Sequence, residues 1–284
     1  PQAEDSLIAC HADKQRWNGE VVRGRMTAPT IVETASFYLS RPDLNAAEAV
    51  ARIAQYHERG LRSIKVYNQL SAETYSAAAR ETETRRMRLV GHLPHAVSLE
   101  EAIAAGQDSF EHAHVLARAC FARDAQWRSG ALSELSHTAL AEAIVAEFDA
   151  GRCEGIVSAL AASGSWYVPT HVTREDDIRA FDEPSIPNPA FDYLDPLSMF
   201  AWNDDQAGTR GAYPGQRGAR AVEQYFAHGL RLTGMAHEQG VRILVGTDTI
   251  AGGLRFHDEM AHLVNAGLTP AEVLRAATLE AARY

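Results

Sequence analysis

The stretch from Ser63 to His114 contains three short strings, Ile64-Lys65-Val66-Tyr67, Val90-Gly91-His92-Leu93-Pro94 and Ser109-Phe110-Glu111-His112. Each string has the pattern of a buried strand whose C-terminal end delivers one polar side chain. Lys65 and His92 are 27 residues apart, and His92 and His112 are 20 residues apart, which are the lengths of β-α units. Because such side chains meet at one end of a parallel barrel, the stretch predicts a lysine and two histidines around a common site.

Strands and helices alternate along the chain. Helical spacing of apolar residues predicts helices such as 45–59, and two capping boxes, Ser98 with Glu101 and Thr269 with Glu272, indicate helix starts. Apolar, β-branched runs predict six strands, near residues 32, 64, 89, 110, 167 and 244. This alternation is typical of the α/β class with a parallel sheet.

Residues 174–220 interrupt the alternation. The segment is rich in proline, glycine, aspartate and aromatic residues, and a loop of this length in a compact domain is usually functional or disordered. The aromatic residues favour a packed structure over disorder. We therefore predict a long loop insertion that acts as a lid, with a structural buttress as the alternative.

The composition narrows the range of partners. Hydrophobic residues make up 46% and charged residues 23% of the 284 residues, as in soluble globular proteins. The net charge of −10 argues against a nucleic-acid partner, because phosphate binding requires a basic face. No apolar run approaches the roughly 18 residues of a membrane span, so we expect no membrane partner, and the compartment stays open between cytoplasm and export. The three cysteines, widely spaced and odd in number, are expected to be small buried hydrophobic residues.

Four polar residues stand at the ends of apolar strand runs: Lys65, His92, His112 and Asp248. Histidines and a carboxylate at one barrel mouth form a metal site of the zinc type. Asp248 has a second use, because a carboxylate beside an activated water can take its proton and deliver it to a leaving group. A lysine is compatible with such a metal site only if it is neutral, paired with a carboxylate, or carbamylated by CO2 into an anionic ligand.

Each of these residues also has an ordinary structural explanation. A single lysine such as Lys65 more often lies at the end of a strand, and a single strand histidine is more often a hydrogen-bonded core residue. Asp248 could form a turn or a helix cap beside its threonine neighbours. Substrate contact and ordinary packing explain Tyr67 equally well. The order in which the four polar residues occur favours a shared site.

The motif series extends beyond these four residues. Ile-Lys-Val-Tyr, Gly-His-Leu-Pro-His, Gly-Gln-Asp-Ser-Phe-Glu-His, Val-Pro-Thr and Val-Gly-Thr-Asp-Thr occur in that order, before a closing Asn-Ala-Gly-Leu-Thr-Pro-Ala-Glu-Val-Leu-Arg-Ala-Ala-Thr. With this series the chain resembles the metal-dependent amidohydrolase superfamily, and within it the imidazolonepropionase-like and prolidase-like branch. The resemblance runs from about Gly19 to Tyr284 and implies an α/β fold of the parallel (β/α)8 TIM-barrel type.

The resemblance implies a role for each matching residue. Lys65 would be a carbamylated lysine that bridges two zinc ions. His92 and His112 would bind the second ion, and Asp248 would bind the first ion and shuttle protons.

The resemblance also implies a reaction. Metal-activated water would hydrolyse an amide-type C–N bond in a dipeptide, an N-acyl amino acid or a cyclic amide, and Tyr67 and His171 at neighbouring strand ends would contact this small-molecule substrate. Two alternatives stay open, namely a non-catalytic metal- or ligand-binding barrel remnant and a lactone or phosphoester hydrolase on the same scaffold. Assembly into a homo-oligomer also stays open.

The chain departs from the family pattern before Lys65. The family's first strand carries a His-x-His pair that completes the first metal site, and no such pair on a strand precedes Lys65 here. Six strands are predicted where a closed barrel of this type needs eight. We therefore expect residues 1–284 to form a partial barrel domain, a fragment without the first barrel strand and the family's β-sandwich domain, with two zinc ions in the complete protein and one or none here.

Overall fold

The structure is a computed structural model that describes residues 2–28, 31, 38–182 and 189–284. The chain divides into two compact units, residues 1–97 with 104–108, and residues 98–103 with 109–284. Each unit has a three-stranded parallel sheet, and helices predominate in the rest of the described chain. The predicted parallel α/β class is therefore confirmed. Within the described residues, no helix is both long and apolar enough to cross a membrane.

The first unit orders its strands β1-β2-β3. Its register places Lys65 opposite Val90 and Val66 opposite Gly91. The elements are α1 (Gln2–Val22), β1 (Tyr38–Leu39), α2 (Ala46–Glu58), β2 (Ser63–Val66), α3 (Ala72–Thr84) and β3 (Arg88–Gly91). The strand predicted around residues 30–36 lies almost entirely outside the described residues, and β1 follows it along the chain.

Local sequence explains how the first unit forms. Asn45 opens α2 with a capping box, in which its side chain accepts from the Glu48 N–H while the Glu48 carboxylate accepts from the Asn45 N–H. Ile53 on α2 and Ile64 and Val66 on β2 are fully buried. The strand and the amphipathic helix therefore both contribute to the buried apolar core of the first unit.

The second unit orders its strands β4-β5-β6. Phe110 pairs with Tyr167, and Tyr167 pairs with Ile243. The elements are α4 (Leu99–Ala104), β4 (Ser109–Glu111), α5 (His114–Ala119), α6 (Asp124–Arg128), α7 (His137–Ala146), α8 (Ala150–Ser163), β5 (Trp166–Val168), α9 (His171–Arg179), α10 (Pro196–Ala212), α11 (Gly215–Glu238), β6 (Arg242–Ile243), α12 (Phe256–Asn265), α13 (Pro270–Ala277) and α14 (Leu279–Arg283).

Residues 174–220 are largely helical where they are described, which differs from the predicted loop. They contain the end of α9, a 3-10 helix at Pro189–Tyr193, α10 and the start of α11. Proline misled the prediction because it stands at helix starts. Pro196 occupies the first turn of α10, where Asp195 caps the helix, and Pro214 is the N-cap of α11. The lid role of this segment stays a prediction.

A disulfide joins Cys120, at the end of α5, to Cys153 in α8. Both cysteines are fully buried, but the expectation that they are only small hydrophobic residues is wrong. The two are 33 residues apart, and tertiary packing, not local sequence, brings such partners together.

Candidate active site

In the first unit, Lys65 and His92 arise from the carboxyl ends of neighbouring strands. Lys65 lies within β2, and His92 directly follows β3. The backbone N–H of His92 donates to the Val66 carbonyl at 3.0 Å. Gly91 permits this close approach, because a Cβ there would lie 2.8 Å from Lys65 Cγ and 2.6 Å from the Val66 carbonyl oxygen. Its φ of +114° is also in the region that favours glycine.

Tyr67 completes the strand-end group of the first unit. Its ring stacks on the His92 imidazole with centroids 4.0 Å apart. The side chain is 36% exposed, whereas His92 is 7% exposed. Tyr67 is therefore partly exposed beside a predicted metal ligand, and its contact with substrate stays a prediction.

The imidazole of His92 is held in its neutral form. Burial, with smaller contributions from the neighbouring charges of Lys65 and His95, lowers the pKa of His92 to about 4. A neutral imidazole keeps a lone pair on one ring nitrogen, which is the form that binds metal ions.

Gln107 fixes the backbone at the end of β3. Its fully buried side-chain amide donates to the carbonyl groups of Gly91 and His92, both at 3.3 Å. The amide oxygen accepts the hydroxyl of Tyr75 at 2.8 Å. Desolvation of this buried hydroxyl raises the pKa of Tyr75 beyond its ordinary value, so Tyr75 remains a proton donor to Gln107.

In the second unit, His112 and Asp248 come together although they lie far apart in the sequence. His112 follows β4, and its Nε2 atom lies 3.6 Å from Oδ2 of Asp248. The His112 side chain is 11% exposed and that of Asp248 is 57% exposed. A buried imidazole therefore meets a carboxylate that is open to solvent and to a substrate.

Thr170 sets the orientation of the His112 ring. Its Oγ1 atom lies 2.8 Å from Nδ1 of His112, and it is 3% exposed. When Nδ1–H donates to this hydroxyl, Nε2 carries the lone pair and faces Asp248. The threonine thus acts on His112 as an outer partner acts on a metal-binding histidine.

Three strand-end residues of the second unit have positive φ. The angles are 76° for His112, 48° for Thr170 and 46° for Asp248. Such backbone is costly for residues with a side chain, most of all for a β-branched threonine, and persists where surrounding contacts impose it. These three residues follow β4, β5 and β6 along the chain, and their backbone conformation is consistent with the site predicted from the sequence.

His171 is deeply buried in the second unit. It is fully buried and its Nε2 lies 2.9 Å from the Thr233 hydroxyl. Phe226 packs edge-on against its ring, and Gly229 lies beside it. Burial lowers the pKa of His171 to about 3, so the ring is neutral. Its predicted contact with substrate stays a prediction.

A family model for the amidohydrolase family matches residues 32–284. The chain belongs to the amidohydrolase family. This confirms the resemblance inferred from the motif series. No match was found among curated protein sequences.

Three solved structures with a similar fold are named as an amidohydrolase, a prolidase and a dipeptidase. A bottromycin amidohydrolase has a TM-score of 0.65 at 23% identity, over 95% of this chain and 59% of its own. A putative prolidase from Bifidobacterium longum has a TM-score of 0.55 at 17% identity, over 94% and 58%. A Xaa-Pro dipeptidase with bound methionine in its active site has a TM-score of 0.51 at 15% identity, over 95% and 60%.

This amidohydrolase chain therefore spans about three fifths of the length of these three structures. At such identities the likeness concerns the fold, and it supports a TIM-barrel-like architecture for the parallel strands and helices described above. Their activities and substrates belong to those proteins.

The amidohydrolase family is generally metal-dependent, and the residues of the second unit fit a metal ion. Two atoms that each lie about 2.0–2.2 Å from a tetrahedral zinc ion are about 3.3–3.6 Å apart. His112 Nε2 and Asp248 Oδ2 lie 3.6 Å apart. Imidazole nitrogen and carboxylate oxygen are ligands that zinc accepts, so both the separation and the donor types suit the ion.

Four buried polar residues were not singled out from the sequence: Gln107 in the first unit, and Thr170, Arg255 and Glu259 in the second. Gln107 and Thr170 do lie inside the motif strings, and Thr170 directly precedes His171, a predicted substrate contact. Arg255 and Glu259 show only a spacing of four residues at the start of a helix, which is common on helix surfaces. Their burial, at 0% exposure for both, is a tertiary property.

Proposed function

We propose that the protein is a metal-dependent hydrolase that cleaves amide-type C–N bonds. The observation that carries this proposal is the 3.6 Å separation of His112 Nε2 and Asp248 Oδ2 in a chain that belongs to the amidohydrolase family. Lys65, His92, His112 and Asp248 are the proposed metal ligands, with Lys65 carbamylated and Zn²⁺ as the ion.

The chemistry divides between the ion and the side chains. A bound zinc ion polarises a carbonyl group and lowers the pKa of water. His112 is presented by Thr170 at 2.8 Å with one ring nitrogen directed at Asp248. Asp248 accepts a proton from the attacking water and delivers it to the leaving nitrogen, since its carboxylate is more than half exposed and close to the proposed ion site.

The proposed substrates are dipeptides, N-acyl amino acids or cyclic amides. Structural similarity to a prolidase and a Xaa-Pro dipeptidase favours the dipeptides. Tyr67 is the proposed contact for the substrate's acyl or side-chain portion, because one face of its ring packs on His92 while 36% of the residue is exposed. His171 is a second proposed contact that rests on the family resemblance alone, because its side chain is fully buried.

Metal content and hydrolysis test the proposal together. The purified protein is incubated with zinc and bicarbonate, its bound metal is measured by mass spectrometry, and its hydrolysis of dipeptides, N-acyl amino acids, cyclic amides, lactones and phosphotriesters is followed. We expect bound zinc and cleavage of an amide-type substrate, and both to be lost in His112→Ala. Zinc binding without turnover of any compound would favour the non-catalytic alternative. Turnover of lactones or phosphotriesters alone would replace the amide assignment, and absence of both zinc and turnover would overturn the proposal.

A further inference from the structure

Arg255 is the largest fully buried side chain in the described residues. Its guanidinium donates to three carboxylates, those of Asp176, of Glu175 at 2.5 Å and of Asp258 at 3.0 Å. Burying a guanidinium costs several kcal/mol, and an apolar side chain of similar size often stabilises a fold equally well. Stability alone is therefore a weak explanation for an arginine at this position.

The Arg255 contacts lead to the backbone next to Asp248. One oxygen of Asp176 accepts from Arg255, and the other accepts the hydroxyl of Thr249 at 3.0 Å. Thr249 is the next residue after Asp248, in a segment without regular secondary structure where Asp248 adopts a φ of 46°. Arg255 thus fixes the Asp176 carboxylate, and that carboxylate fixes Thr249.

A second set of contacts leads from the same helix to His112. Glu259, one turn after Arg255, is fully buried, and its Oε2 accepts the backbone N–H of Val172 at 2.8 Å. This hydrogen bond satisfies one of the unpaired N–H groups in the first turn of α9. The N-cap of α9 is Thr170, whose hydroxyl contacts His112.

We propose that Arg255 and Glu259 are positioning residues that hold His112 and Asp248 in the geometry required for metal binding. Together with Glu175 and Asp176 they form what we call the α9–α12 clamp. The clamp fixes the first turns of α9, so that Thr170 orients the imidazole and Asp176 restrains the carboxylate through Thr249. This role rests on the proposed function, because it presumes that His112 and Asp248 bind a metal ion.

Thr249→Val provides the sharpest test. It removes one hydroxyl and its hydrogen bond to Asp176 while keeping the shape of the side chain, and Thr249→Ser restores the hydroxyl. The matched control is Thr278→Val, because Thr278 is exposed and its hydroxyl donates only to the Leu274 carbonyl one turn earlier among the described contacts. Arg255→Met examines the clamp itself.

The first measurement is zinc affinity, by competition with a chelator. Loss of an outer partner of a metal ligand typically lowers affinity about 10–100-fold, so we expect a decrease in this range for Thr249→Val and wild-type affinity for Thr249→Ser and Thr278→Val. For turnover we expect kcat to fall with KM little changed, because the clamp does not contact the substrate.

The second measurement is hydrogen exchange of the metal-free protein, which depends on neither metal nor turnover. The amide of Gly252, which donates to the Thr249 carbonyl at 3.0 Å, should exchange about tenfold faster in Thr249→Val and Arg255→Met, while the amides of β4 keep wild-type protection. If Arg255→Met does not fold, the measurements on Thr249→Val still test the proposed role of the clamp. Wild-type zinc affinity and wild-type exchange in Thr249→Val would overturn the proposal. A wild-type protein that binds no zinc and hydrolyses nothing would instead refute the proposed function, and the exchange data would still decide whether the clamp restrains Asp248.

Discussion

The Nε2 atom of His112 lies 3.6 Å from the Oδ2 atom of Asp248, and both residues have φ angles in the left-handed region. The imidazole is buried and oriented by Thr170, whereas the carboxylate is largely exposed. One partner is therefore fixed and the other is accessible. This division suits a pair in which the histidine binds an ion and the aspartate also exchanges protons.

Replacing Asp248 by asparagine tests its proton transfer. Asp248→Asn keeps the size of the side chain and removes the base, and general acid–base groups typically contribute 10²–10⁴-fold, so we expect kcat to fall by about a hundredfold or more. Steady-state kinetics with the best amide substrate measure this. Glu154→Gln is the control, because it makes the same chemical change at an exposed residue of α8. A kcat within threefold of the wild type would remove Asp248 from the mechanism.

The Tyr67 hydroxyl is examined by Tyr67→Phe and Tyr67→Ala. Phenylalanine keeps the ring that stacks on His92 at 4.0 Å and removes the hydroxyl together with a hydrogen bond from it to the substrate. Such a bond contributes about 1 kcal/mol, and we expect KM to rise by roughly fivefold with kcat unchanged. Tyr67→Ala removes the stacking as well and should also lower kcat. Identical KM values for the wild type and Tyr67→Phe would show that the hydroxyl does not contact the substrate.

Gly91 is predicted to be irreplaceable. In Gly91→Ala, the new methyl group would meet the Val66 carbonyl oxygen at 2.6 Å, and a side chain at positive φ costs about 1–2 kcal/mol by itself. The matched control is Gly106→Ala, also at positive φ but with no atom within 4 Å of the new Cβ. We expect Gly106→Ala to lower the free energy of unfolding by about 1–2 kcal/mol and Gly91→Ala by about 1–3 kcal/mol more. Equal losses in urea titrations would contradict the close approach of the strands.

The disulfide between Cys120 and Cys153 is expected to stabilise the second unit. Closing a loop across 33 residues restricts the unfolded chain by about 4 kcal/mol in the chain-entropy model. Cys153→Ser, or reduction of the wild type, should lower the melting temperature by several degrees, and reductant should then have no further effect on Cys153→Ser. Cys10→Ser should behave as the wild type does. A wild-type melting temperature that reductant does not change would argue against the bond.

The stability contributed by Glu259 should decrease as pH rises. Burial raises the pKa of Glu259 to about 7 from an ordinary value of 4.5, against the opposing effect of the Val172 and His171 N–H groups. The folded protein therefore binds a proton between pH 4.5 and pH 7 that the unfolded chain releases, so stability falls across this interval. The expected change is on the order of 3 kcal/mol.

The stability contributed by other titratable groups changes with pH in the opposite direction. The pH dependence of the wild type must therefore be compared with that of Glu259→Gln. Burial lowers the pKa of His171 to about 3 from an ordinary value of 6.5. The contribution of neutral His171 to the stability of the protein therefore decreases as pH falls below 6.5. Urea titrations of both proteins at several pH values isolate the Glu259 contribution. The difference in unfolding free energy between wild type and Glu259→Gln should favour the wild type less at pH 7 than at pH 4.5. A difference that does not change with pH would mean that Glu259 titrates normally.

The sequence by itself determined the family, the parallel α/β class and the strands that bear Lys65 or directly precede His92 and His112, whereas Asp248 lies five residues beyond the end of β6. These features are local: apolar runs form strands, a polar residue ends each run, and capping residues such as Thr269 start helices where predicted. Motif order then assigned the amidohydrolase family, which the family model confirms.

Only the tertiary structure decided which groups orient the candidate ligands. Thr170 and His112 are 58 residues apart and Arg255 and Asp176 are 79 apart, so packing, not local spacing, creates these contacts. The same applies to the disulfide between Cys120 and Cys153. Proline gave a wrong signal in α10 because its preference for turns and its preference for helix starts are the same conformational restriction. Chain topology, which brings the first turn of α9 against α12, determines the contacts that local propensity leaves open.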